Sequence, residues 1–166
     1  MIDQGATTIW ESWGMLKGGY HAEESMTMLA GVGRLFYESV AGIQEPSYYG
    51  TRQFGPGYGH FQIKPYALGD LTRAEASIKT VRGVISSRWK RTKDSFVLTV
   101  EIPVNSTAKV SVPSIGLKNA VVTEGGAVVW KDGAYVKGVA GIDAGAREAG
   151  HYTFDVGSGR YKFTVR

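Results

Sequence analysis

Between Gly5 and Trp13 the sequence places one carboxylate, Glu11, between two indoles, Trp10 and Trp13, with the hydroxyls of Thr7, Thr8 and Ser12 close by. A carboxylate can take a proton or orient a water. An indole can stack on the apolar C–H face of a sugar ring, whose rim of hydroxyls seeks hydrogen bonds. The grouping therefore suits carbohydrate chemistry. The same residues also fit two core aromatics with Glu11 capping a turn, so residue types alone leave both readings open.

Other chemistries find less support. His21, His60 and His151 are too scattered for metal-ligand spacing, and the chain has no cysteine to ligate a metal, form a disulfide or act as a nucleophile. Gly157-Ser158-Gly159 falls between predicted strands and not before a helix, which argues against a phosphate loop. No cofactor and no metal is expected.

The elements that must position these residues change character near residue 44. From Ala22 to Ala41, Met28, Leu29, Val32, Leu35, Phe36 and Val40 recur at helical spacing, which predicts one amphipathic helix over 22–41. Glu23 and Glu24 suit its N-terminal dipole, and Gly42 is placed to end it as a C′ residue. Gly31 and Gly33 inside it each cost about 1 kcal/mol relative to alanine, which predicts a neighbour packed close. Its apolar stripe would favour self-association or folding back onto the rest of the chain.

Residues 44–57, with Pro46, Gly50, Gly55, Pro56 and Gly57 among tyrosines, predict a linker. Beyond it, Gly59–Lys64, Ser77–Val81, Val84–Trp89, Phe96–Ile102, Lys109–Val112 and Tyr161–Val165 carry the β-branched and aromatic content of strands. Turn signals such as Lys93-Asp94, Gly125-Gly126 and Asp132-Gly133 separate them. Phe96, Leu98, Val100 and Ile102 share one face of their strand. The fold class expected is mainly β, an antiparallel, jelly-roll-like β-sandwich preceded by a helical segment.

Charge does not redirect this reading. The net charge of +4 raises nucleic acid as a partner, but the densest basic cluster, Arg88, Lys90, Arg91 and Lys93, surrounds Trp89. Alternation puts Arg88 and Lys90 on one face and Trp89 on the other, the pattern of a solvated strand edge over a core aromatic. No apolar run approaches the roughly 20 residues of a membrane span. Met1-Ile2-Asp3-Gln4 lacks the features of a signal peptide, which leaves cytoplasm and periplasm both open. The Asn105-Ser106-Thr107 sequon fits a surface turn.

Four blocks in order sharpen the functional expectation: Gly5-Ala6-Thr7-Thr8-Ile9-Trp10-Glu11-Ser12-Trp13, then Gly33–Ile43, then Gly59-His60-Phe61-Gln62-Ile63-Lys64-Pro65, then Val156–Phe163. In this order they resemble the C-terminus of bacterial α-L-rhamnosidases. The resemblance implies that residues 1–43 belong to the end of a six-hairpin α/α barrel, that 44–57 link, and that 58–166 form a C-terminal β-sandwich. It implies inversion at the anomeric carbon, with one carboxylic acid protonating the leaving oxygen and a carboxylate base activating water. Glu11 matches that base, and Trp10 and Trp13 match positions in the pocket wall.

The family usually sets an Asn-His pair before the Ala-Gly-Ile block, where the histidine contacts sugar. Ser25-Met26 stand there instead, so His21, five residues earlier, is the candidate replacement beside its reading as a surface or capping histidine. With Met26 at the expected histidine, the resemblance defines the enzyme class better than it defines the sugar. The family's general acid lies upstream of the first block, outside this chain, so the chain alone is expected to be inactive. A second reading is a stand-alone carbohydrate-binding or structural module, binding sugar through Trp89, Trp130, Tyr135 or Tyr152.

Overall fold

A computed structural model describes residues 31–44, 56–117 and 119–166. Trp10, Glu11, Trp13 and His21 lie outside the described residues, as does the predicted helix before residue 31. The chain forms two compact units, Met1–Phe36 and Tyr37–Arg166.

Of the first unit, Gly31–Phe36 are described. They hold the α-helical turn α1 (Val32–Leu35) and the first residue of a π-helical turn, Phe36–Val40. Val32, Leu35 and Phe36, all on the predicted apolar stripe, are each about half exposed. A Cβ built on Gly31 or Gly33 meets nothing within 4 Å. Among the described residues, the close neighbour that these glycines suggested is not found.

The second unit is built from twelve described strands: β1 (Ile43–Gln44), β2 (His60–Ile63), β3 (Arg73–Thr80), β4 (Gly83–Arg91), β5 (Phe96–Ile102), β6 (Thr107–Pro113), β7 (Val122–Glu124), β8 (Ala127–Lys131), β9 (Ala134–Tyr135), β10 (Ile142–Glu148), β11 (His151–Val156) and β12 (Gly159–Val165). One sheet runs β1-β2-β6-β11-β10 and the other β3-β4-β5-β12-β7-β8-β9. Among the described pairings only β2 with β6 is parallel. The expected antiparallel-rich sandwich is present.

Alternation accounts for the two layers. Phe96, Leu98, Val100 and Ile102 of β5 are buried while Thr99 between them is exposed. Aromatic rings fill the space between the sheets. Phe154 of β11 stacks on Phe163 of β12 with centroids 5.3 Å apart, and Trp130 of β8 meets Tyr152 of β11 at 5.4 Å. Each ring buries roughly 150–250 Å², so these cross-sheet pairs carry much of the cohesion between the layers.

Trp89 is fully buried and stacks on Phe96, while Arg88 and Lys90 are exposed, as alternation requires. One detail differs: β4 is not an edge strand. It pairs with β5 on one side and with β3 on the other, and β3 forms the edge. The edge strand has the composition that discourages further pairing, since Arg73, Glu75 and Lys79 all point to solvent and Glu75 pairs with Arg88.

Candidate functional site

The described chemistry concentrates in two places of the second unit. The first is the cradle around Glu38–Gln44. An α-helix ends with four carbonyls that have no partner inside the helix. Here a run of five successive carbonyls is satisfied from outside it. The Glu38 carbonyl accepts from Gln44 Nε2 at 3.4 Å, Ser39 from the Tyr66 amide at 2.8 Å, and Val40 from Trp89 Nε1 at 2.8 Å. The Ala41 carbonyl accepts from Ser87 Oγ at 2.6 Å and Gly42 from the Lys64 amide at 2.8 Å. β1 then pairs with β2, Ile43 opposite Ile63 and Gln44 opposite Gln62.

Two features make this seat selective. Gly42 has φ 85°, and a Cβ there would overlap the backbone of Lys64 and Pro65. Only glycine meets both demands at low cost. Ala41 and Ile43 are each 1% exposed, so small and branched apolar side chains drop into the core on either side of it. Ser87 and Trp89 were not singled out as anchors from sequence. The signal was present, since Ser87 shares a strand face with Ile85 and Trp89, and a hydroxyl on an apolar face needs a partner.

The second place is an open cleft of about 300 Å³ beside β6, lined by His60, Phe61, Thr107, Lys109, Asp143 and Asp155. His60 Nδ1 lies 2.5 Å from Thr107 Oγ1, and Lys109 Nζ donates to Asp155 Oδ1 at 2.7 Å. Asp143 occupies the irregularity between Ile142 and Ala144, where β10 shifts register against β11. Such a bulge re-aims a side chain. The pair of His60 and Thr107 is exposed, however, and so lacks the exclusion of water that strengthens a base and its nucleophile.

His151 lies near the end of the same sheet, at the start of β11. It is buried against the edge of Tyr66, and its Nε2 has no hydrogen-bond partner among the described residues. Burial holds its pKa below the ordinary value, with a smaller contribution from Lys64, against hydrogen bonds to the Ala149 and Pro65 backbone. Tyr135 and Tyr161 are pushed the other way, chiefly by burial and further by nearby carboxylates. The Tyr135 hydroxyl donates to the Ile142 carbonyl at 2.6 Å.

These positions change the picture of the aromatic candidates. Trp89, Trp130 and Tyr152 are core residues, 0%, 7% and 1% exposed, and Tyr135 is half-buried and hydrogen-bonded. None offers the open ring face that stacking on a sugar requires. Among the described residues no group of three or more His, Asp or Glu side chains could hold a metal, and no helix is long and apolar enough to cross a membrane.

Two packed, mostly antiparallel sheets with a buried aromatic core define this unit as a β-sandwich domain. Residues 50–127 match the family model described as the bacterial alpha-L-rhamnosidase C-terminal domain. The chain is 32% identical over 170 aligned residues to an α-L-rhamnosidase of Streptomyces avermitilis, covering 99% of this chain and 14% of that protein. It is 29% identical over 119 residues to an α-L-rhamnosidase of Formosa agariphila. Its fold matches the α-L-rhamnosidase structure from Dictyoglumus thermophilum with a TM-score of 0.80 at 28% identity, over 100% of this chain and 17% of that one. The Streptomyces avermitilis α-L-rhamnosidase complexed with L-rhamnose matches at 0.69 and 30% identity, over 99% and 14%. The chain belongs with the bacterial α-L-rhamnosidases and carries their C-terminal domain. It spans about one-seventh of the length of the first of these relatives.

Proposed function

We propose that this chain is the C-terminal part of an inverting α-L-rhamnosidase that releases terminal α-L-rhamnosyl groups, with carbohydrate as its partner. The observation that carries the reading is similarity over 99% of the chain to a rhamnosidase seven times its length. Residues 1–43 are then the end of the catalytic barrel, 44–57 the link, and 58–166 a sandwich that stabilises the barrel's end.

Within that frame Glu11 is the general base, Trp10 and Trp13 line the sugar pocket, and His21 contacts the sugar. The base needs a carboxylic acid roughly 6.5–9.5 Å away to protonate the leaving oxygen, with water between base and sugar. That acid is supplied by sequence outside this chain, so the 166 residues alone do not hydrolyse rhamnosides. A structural role for the sandwich is favoured over sugar binding because its large aromatics are turned into the core.

The test is Glu11→Gln in the full-length protein, assayed on an aryl α-L-rhamnoside. Turnover is expected to fall by about 10²–10⁴-fold, the usual contribution of a positioned base. Normal turnover in that variant would overturn the assignment, and rhamnose release by the 166-residue chain would overturn its inactivity.

A further inference from the structure

We propose that the sandwich is an acceptor for a specific chain segment, Ser39–Gln44, which it holds as a separable ligand through the segment's main-chain carbonyls. This deepens the structural role proposed for the sandwich by naming what it grips and with which residues.

The bonds have the character of recognition. Four donors from two separate parts of the sandwich, the amides of Lys64 and Tyr66 and the side chains of Ser87 and Trp89, converge on four consecutive carbonyls from Ser39 to Gly42. Two of those donors are side chains 46 and 49 residues away in sequence, so chain proximity does not explain them. Main-chain carbonyls carry no side-chain information. Selectivity comes instead from Gly42, where any Cβ is excluded, and from the closed pockets around Ala41 and Ile43. The last two residues of the segment, Ile43 and Gln44, then add as β1 beside β2 and complete the grip on the sheet edge.

The segment leaves β1 at Gln44 and the acceptor resumes at β2 with His60. A cut between the two therefore separates ligand from acceptor without removing either. The experiment uses the full chain with a protease site placed within residues 45–55. After cleavage the two pieces should co-elute at micromolar concentration. The Ser87→Ala/Trp89→Phe double variant should weaken their association at least tenfold, with near-ultraviolet circular dichroism of the uncut variant confirming its fold. Gly42→Ala, which leaves the acceptor's sequence intact, should weaken it as much. Separation of the wild-type pieces while the acceptor stays folded would overturn the proposal, and so would unchanged association in Gly42→Ala. Rhamnoside hydrolysis plays no part in this readout, so a failure of the rhamnosidase reading leaves the result standing.

Discussion

The indole of Trp89 donates to the main-chain carbonyl of Val40 at 2.8 Å, joining residues 49 apart in sequence inside a buried site. Its neighbour two residues earlier, Ser87, does the same for Ala41. A buried carbonyl left without a partner costs about 1–3 kcal/mol, so each donor matters beyond its own packing. Trp89→Phe, which keeps an aromatic ring against Phe96, is expected to lower unfolding free energy by about 2–4 kcal/mol, the lost bond adding to a small cavity. Ser87→Ala should cost about 1–3 kcal/mol. Urea denaturation of both variants measures this, and a neutral Ser87→Ala would show that the Ala41 carbonyl finds another partner.

Gly42 sits at positive φ with the backbone of Lys64 and Pro65 where a Cβ would go. Left-handed strain and steric overlap act together in Gly42→Ala, for an expected loss of about 2–5 kcal/mol. Gly125→Ala is the control. It has a positive φ but open space around it, so it should carry only the conformational part, about 1–2 kcal/mol. Equal losses in the two variants would remove the packing argument.

Stability should fall in mild acid through His151. Its folded pKa lies below the ordinary value of 6.5 because burial disfavours the imidazolium. Above about pH 6.5 the ring is neutral in both folded and unfolded chains, and the shift has no effect. As the pH drops through that value the unfolded chain binds the proton first, so stability declines until the pH passes below the folded pKa. Tyr66 and Lys64 on the preceding segment offer the ring no acid to pair with. Urea midpoints measured from pH 8 to pH 5 should fall less for His151→Gln than for the wild type. The same slope in both would assign the acid sensitivity elsewhere.

The pair of Lys109 and Asp155, at 2.7 Å, joins directly opposed residues of β6 and β11, and both side chains are about half exposed. Solvent screening limits such a pair to less than about 1 kcal/mol. Asp155→Asn should therefore shift the thermal midpoint by only a few degrees, and added salt should shrink the difference further. A larger loss would mean that Asp155 supports the bulge at Asp143 and not just its lysine.

Much of the sandwich is legible in the residues themselves because strand alternation is a local property. β5 coincides with its predicted span, and β2, β4, β6 and β12 lie within a few residues of theirs. β11 is harder to recognise, since His151 and Thr153 are buried along with Tyr152 and Phe154 and the two-residue period disappears. β10, running Ile142 to Glu148 with one buried residue, lacks the apolar face that would announce a strand, as befits the edge of its sheet.

The sequence by itself determined the β class, the inward face of β5, the burial of Trp89 beneath its basic neighbours, and the ordered blocks that relate the chain to α-L-rhamnosidases. The first three depend on residues near one another in the chain, and the blocks are each short local runs read in order along it. Tertiary structure alone decided that Trp89 and Ser87 hold the carbonyls of Val40 and Ala41, that β2 joins β6 in parallel, and that Trp89, Trp130 and Tyr152 of the sandwich are core residues with no ring face open to a sugar. Those outcomes rest on contacts between residues tens of positions apart, and a buried donor declares its acceptor only when folding has brought the two together.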